Sequence, residues 1–193
     1  MSCLKKIQIE DTIYTANTDF RVAIRCNEIA EDKTIGDYER VLGIIETMFG
    51  DQGLENKNHY YKLANWILTY LSCGKEVEED NETPDMDYSE DMEYIEASFM
   101  SDYQIDLENT EMDWQKFNKL INGLSNSDMG NCCILNRIRN IRNFDISNIK
   151  DSKEKDKFIK AKEMVELKKY KKENNLTEEQ EKSMEELNKM LGL

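Results

Sequence analysis

Residues 87–124 (DYSEDMEYIEASFMSDYQIDLENTEMDWQKFNKLINGL) carry two stripes of large apolar side chains at helical spacing, and this constrains the fold more than any other feature. Tyr88, Met92, Ile95 and Phe99 lie four, three and four positions apart, one face of an α-helix. After a break at Tyr103-Gln104-Ile105-Asp106-Leu107, the residues Trp114, Phe117, Ile121 and Leu124 make a second stripe. The same periodicity predicts a helix over 20–31 with Asp19 as N-cap. It predicts another through Tyr38, Val41, Leu42, Ile45, Met48 and Phe49, stopped by Gly50. A third runs through Tyr60, Leu63, Ala64, Ile67 and Leu71, with Gly74 in the C′ role.

The fourth helix is expected to be capped by Ser89, with Glu90, Asp91 and Glu93 in its first turn, where they favour the positive end of the dipole. The fifth spans about 109–122, and a sixth begins with Ile134, Ile138 and Ile141. A lysine-rich helix over 153–172 carries Phe158, Ala161, Val165 and Tyr170 on one side. Thr177-Glu178-Glu179-Gln180 is a capping box for a last helix bearing Met184, Leu187 and Leu191. A single proline, Pro84, and 8 glycines agree with long helices rather than a turn-rich β fold. Lys6 to Ile9, a Glu-Asp turn and Ile13-Tyr14 suggest one short hairpin. The reading is a mainly α chain, a compact multi-helix bundle with a short N-terminal β-hairpin and a C-terminal helical extension. Residues 1–172 form a single helical domain, with an acidic linker at about 75–88 between two helical halves, and residues 173–193 form a helical appendage.

Charge is distributed unevenly around a formal net of −14. Residues 76–113 hold 16 Asp or Glu and no Lys or Arg, whereas residues 116–173 hold 15 Lys or Arg against 8 Asp or Glu. The acidic middle and the basic stretch at 150–172 can attract one another within a molecule or between copies, so self-association through these segments is one expectation. The total disfavours nucleic acid as a partner. No apolar signal-like stretch opens the sequence, and no run is long enough to cross a bilayer. The expected setting is a cytoplasm, without membrane.

Chemistry-bearing residues are sparse. Five cysteines (Cys3, Cys26, Cys73, Cys132, Cys133) form no C-x-x-C pair, and His59 is the one histidine, so no zinc set is expected. The acidic run from Asp85 to Glu96 can be laid on a calcium loop, but its sixth position is Glu90 where glycine is required. His59 reads as a surface histidine near a helix start, without a nucleophile in context. No phosphate-cradling glycine loop occurs, and no catalytic residue, cofactor or metal is expected. Tyr94, Phe99, Tyr103, Trp114 and Phe117 read chiefly as core, and any that are exposed are anchors for a partner polypeptide. Arg137, Arg139 and Arg142 form a small basic set suited to structural or protein-facing contacts.

Several short motifs together resemble a known family. They are Ile13-Tyr14 with Asn17-Thr18-Asp19-Phe20-Arg21; Leu71-Ser72-Cys73-Gly74-Lys75; and Tyr94-Ile95-Glu96-Ala97-Ser98-Phe99 followed by Tyr103 to Leu107. Others are Trp114 to Phe117 with Gly123-Leu124, and Ile138-Arg139 with Asp145-Ile146 to Lys150-Asp151. Over roughly residues 5–172 the chain resembles the phage family named for gene product fifteen, encoded in the tail-assembly region of siphophages and prophages. Where members often carry His-Trp-Trp or His-Trp-Tyr, this chain has Asp113-Trp114-Gln115, so no role of that histidine transfers. The resemblance implies a phage tail assembly chaperone-like protein of the host bacterial cytoplasm, non-catalytic, that binds the tape measure protein during tail assembly. Alternative expectations are an acidic phage-encoded inhibitor of a host DNA-binding protein, or a minor structural component of the tail.

Overall fold

The computed structural model describes residues 3–74, 84–126 and 132–170. Strands β1 (Leu4–Ile9) and β2 (Thr12–Asn17) pair antiparallel, from Leu4 opposite Asn17 to Ile9 opposite Thr12. The expected hairpin is therefore present and longer than its alternation suggested. One face turns Ile9, Tyr14 and Ala16 into the core and the other leaves Leu4 and Ile13 in solvent.

Seven α-helices follow among the described residues: α1 (Phe20–Glu31), α2 (Asp37–Phe49), α3 (Tyr60–Leu71), α4 (Met92–Tyr103), α5 (Trp114–Asn122), α6 (Ile134–Asn143) and α7 (Ser152–Val165). Asp19 caps α1 as expected, its carboxylate accepting from the Arg21 amide at 3.0 Å. Helix α2 ends at Gly50, whose φ of +67° favours glycine. Gly53 in the following turn is needed for a different reason. A Cβ there would lie 2.7 Å from Ile45 Cγ2 and 2.9 Å from Phe49 Cβ, so the turn packs directly on α2.

The core is one cluster in which aromatic rings do much of the joining. Phe20 of α1 stacks on Phe117 of α5 at 4.4 Å, and Phe99 of α4 stacks on the same ring at 5.4 Å. Tyr14, Phe49, Trp66 and Tyr70 continue the chain of contacts from the hairpin through α2 to α3. Of the expected α2 stripe, Ile45, Met48 and Phe49 are buried but Tyr38 is exposed, and Ile44 is buried beside Ile45.

Four boundaries differ from the sequence expectation. The residue past the end of α3 with positive φ is Cys73 (+53°), followed by Gly74 (+74°), so Cys73 takes the C′ position assigned to Gly74. Helix α4 begins after Asp91 rather than after Ser89. The Asp87 carboxylate instead accepts from the Ser89 and Glu90 amides and closes a separate turn. Helix α5 starts at Trp114, not near 109. Asp106 draws in the Glu108 amide at 3.0 Å, while Met112 O accepts from Phe20 N at 2.8 Å and Trp114 N donates to Thr18 O at 2.9 Å. Residues 112–114 are thereby held extended against 18–20, and Asp113 caps the helix. Helix α7 stops at Val165, because Glu166 is extended and Leu167 turns into the protein, and helical residues resume at 168–170, so the expected continuous helix is interrupted. The Thr177–Gln180 capping box and the 173–193 appendage lie outside the described residues, as does the 75–83 part of the linker.

Candidate functional site

Two motifs that carried the family resemblance meet in space. In the first, Asn17 Oδ1 accepts from the Asp19 amide at 3.1 Å and the Thr18 hydroxyl donates to Cys3 O at 2.9 Å. Asp19 also receives the Met112 amide at 3.2 Å, and Arg21 donates to the carbonyls of Leu107, Glu108 and Thr110. The second motif presents those carbonyls: Gln104 takes a left-handed turn at φ +55°, and Leu107 is buried. A guanidinium that satisfies three backbone carbonyls lets an irregular loop lie close to the core without orphaned acceptors. These residues position the loop and are fully occupied in doing so.

The aromatic residues singled out in the sequence divide by burial. Phe99, Trp114 and Phe117 are interior, and the Trp114 Nε1–H donates to Leu71 O at 2.9 Å. Tyr103 is half-buried with its hydroxyl donating to Leu120 O at 2.9 Å, and Tyr94 is half-buried against the core. Large apolar side chains left in solvent lie elsewhere. Tyr61, 82% exposed, and Leu68, 53% exposed, stand two turns apart on the outer side of α3. Leu4 and Ile13 stand out from the hairpin, which runs beside α3 in the opposite sense: Lys5 Nζ sits 4.5 Å over the Tyr70 ring and Glu10 meets Lys62 at 2.7 Å. The outward edge of β2 is closed at Thr15, whose amide and carbonyl both bond the Gln52 side chain at 3.1 and 2.9 Å. By the same alternation the backbone groups of Leu4, Lys6 and Gln8 face the outer edge of β1.

The arginines also separate. Arg137 is exposed, and Arg139 is half-buried with Asp85 at 3.1 Å. Arg142 is interior: its side chain is 10% exposed and that of its partner Asp91 1%. Its two terminal nitrogens donate to both Asp91 oxygens at 2.7 Å, one of them also to Asp85 O at 2.9 Å, and Nε donates to Val165 O at 2.6 Å. One side chain thus staples the turn before α4, helix α6 and the end of α7. A signal for it existed in the sequence. Leu135, Ile138 and Arg142 share one stripe, and Asp91 lies four positions before Ile95, so each charge falls on an apolar face.

Around this staple the acidic turn receives the C-terminal basic residues. Glu90 accepts from the amides of Lys168 and Lys169 at 2.8 and 2.6 Å, and Lys169 Nζ reaches Glu31 at 2.5 Å and Asp87 at 3.2 Å. Burial alone would push the Asp87 carboxyl up, but the Glu90 and Ser89 amides and Lys169 outweigh it and hold it below the ordinary carboxylate range. Part of the acid–base attraction read from the sequence is therefore spent within one chain. The Asp85–Glu96 run, laid out as a calcium loop in the sequence, instead holds backbone amides and these cations.

His59 is a correction to the sequence reading. It is buried, with Nδ1 sharing a 2.8 Å hydrogen bond with the Tyr14 hydroxyl and Nε2 3.3 Å from both Glu10 and Asn56. It locks the hairpin to the start of α3. Glu10 is held below its ordinary value chiefly by Lys62, then by His59. Cys26, Cys132 and Cys133 are buried, and burial pushes the Cys26 thiol up to about 12. Among the described residues no group of three or more His, Cys, Asp or Glu side chains is arranged to hold a metal ion, and no helix is long and apolar enough to cross a membrane.

The fold is thus mainly helical with one short hairpin, and several of its charged groups, Asp19, Arg21, Asp87, Glu90 and Arg142 among them, hold backbone. Residues 2–167 match the family model described as Bacteriophage Gp15 protein, and the chain belongs to that phage family. Neither a curated protein nor a solved structure shows significant similarity to it.

Proposed function

We propose that this chain is a non-catalytic tail assembly chaperone of the host bacterial cytoplasm that binds the tape measure protein while the tail is built. The observation that carries the reading is the set of apolar side chains in solvent on neighbouring elements, Tyr61 and Leu68 on α3 with Leu4 and Ile13 on the hairpin. They sit beside a strand edge able to pair with an extended chain. Membership of the phage family supports a phage setting for this reading. His59, the chain's one histidine, is committed to the hairpin, which suits a scaffold better than a site for proton transfer.

Such a chaperone works by covering apolar stretches of a long client with many weakly bound copies, gaining avidity from contact between neighbours. Exposed lysines on α7 (Lys153, Lys157, Lys160) and acidic residues of the 76–113 segment that the fold leaves in solvent, such as Glu93 and Glu96, are the surfaces proposed for that contact.

The test is co-expression with the neighbouring tape measure protein, followed by affinity capture. The wild type is expected to retain it, and a Tyr61→Asp, Leu68→Asp variant to lose it with its unfolding midpoint within about 0.5 kcal/mol of wild type, as for exposed sites. Equal capture by both proteins removes α3 from the reading. Stoichiometric presence in purified virions would make the protein a tail component instead.

A further inference from the structure

Helix α7 is unlike its neighbours in having no buried residue. The other long helices each bury three or four, yet Phe158, Ile159, Ala161 and Val165 of α7 are only half-covered and Met164 is 85% exposed. Beside it, a cleft of about 330 Å³ opens between α6, α7 and the segment at Pro84, with Ile146, Ile159, Leu167 and Tyr170 among its walls and Lys162 at its side. Apolar walls around an open cleft are costly in water unless something fills it.

The chain itself leads away from this place. Tyr170 lines the cleft, and 23 residues, 171–193, follow it in the sequence. That stretch reads as a capping box, Thr177 to Gln180, then Met184, Leu187 and Leu191 at offsets of three and four, a single apolar stripe. Its charge is opposite to that of the helix it would meet: six Glu against four Lys over 171–193, and five Lys against three Asp or Glu in α7. We infer that the 177–191 stripe docks along α7 and fills the cleft, as an amphipathic helix laid in a groove. The tether favours this occupant over a second copy, since a short connection within one chain holds a segment at an effective concentration on the order of millimolar. The inference does not rest on binding of a client, and it competes with the copy-to-copy contact proposed above for the α7 lysines.

The test uses the full chain. Hydrogen exchange is compared between wild type and a Met184→Asp, Leu187→Asp variant, both substitutions lying outside the family-matched residues 2–167. Exchange across α7 is expected to quicken about ten-fold or more while α1 to α3 stay unchanged. Carbodiimide cross-links between α7 lysines and Glu178 to Glu186 are expected in wild type and lost in the variant. An Ile159→Glu variant, which alters the cleft wall, should lose the same cross-links. Unchanged α7 exchange, absent cross-links, or cross-links that survive Ile159→Glu would overturn the proposal. Cross-links formed between isotopically distinct copies would transfer the cleft to a second molecule and equally refute it.

Discussion

The two ends of this molecule are closed by different forces. The hairpin with α1, α2, α3, α4 and α5 is held by stacked and edge-on rings, Phe20, Phe99 and Phe117 on one side and Tyr14, Phe49, Trp66 and Tyr70 on the other. The end formed by α6, α7 and the acidic turn at 85–91 has a single stacked pair, Phe144 with Phe158 at 4.5 Å, and relies otherwise on one buried ion pair, Asp91 with Arg142, and on carboxylates taking backbone amides. Apolar closure tolerates sliding of neighbouring surfaces. A bidentate pair does not, so the charged end has a defined register but little burial behind it. The charged end should therefore yield first.

Phe117→Ala should have the largest effect, about 3–5 kcal/mol, because it removes the ring shared by three helices. Urea denaturation is expected to show a single lowered midpoint. A loss under 1 kcal/mol would mean that the aromatic cluster is dispensable.

Next comes the staple. Arg142→Met alone should cost about 3 kcal/mol, since Asp91 is left buried and unpaired. Asp91→Leu combined with Arg142→Met should recover most of that loss. In hydrogen exchange the single variant should loosen α6 and α7 while α1 to α3 keep their protection. Uniform loosening would show that the two ends unfold as one unit.

Asp19→Ala should cost about 1–2 kcal/mol through the lost cap and the orphaned Met112 amide. Lys169→Gln should cost less than about 1 kcal/mol, vanishing in high salt, because its ion pairs are partly exposed. Raising the salt should not touch the Arg142 variant's deficit.

Acid should separate the ends in the same order. The folded state holds Asp87 below its ordinary value of 3.8, so its contribution is complete above that pH and is lost as pH falls through the lowered value. Exchange of residues 85–91 and 166–170 is therefore expected to rise in that acidic range before the aromatic cluster gives way. Simultaneous loss would argue against a separate ionic closure.

Much of the architecture could be read before any coordinates, and the exceptions share a cause. Helix α1 and the end of α2 follow local rules, a carboxylate cap and a glycine stop, so periodicity located them well. The start of α5 depends on residues 18–20, some 93 positions from Met112 in the case of Asp19. The end of α7 depends on Glu90, 78 positions from Lys168. His59 read as a surface residue because nothing nearby announces Tyr14 and Glu10, 45 and 49 positions away. For the surfaces proposed to bind, the aromatic content pointed to Phe99, Trp114 and Phe117, which the fold consumed, while Tyr61 and Leu68 carried no special mark.

Periodicity, caps and composition were enough to dictate a helical chain with one hairpin, because those depend on neighbours within a turn or two, and short motifs carried the likeness to a phage family. Which charges are buried, where helices stop short and which apolar side chains remain in solvent were settled only when distant segments met. Hydrogen-bond competition and desolvation act between groups that the linear order keeps apart.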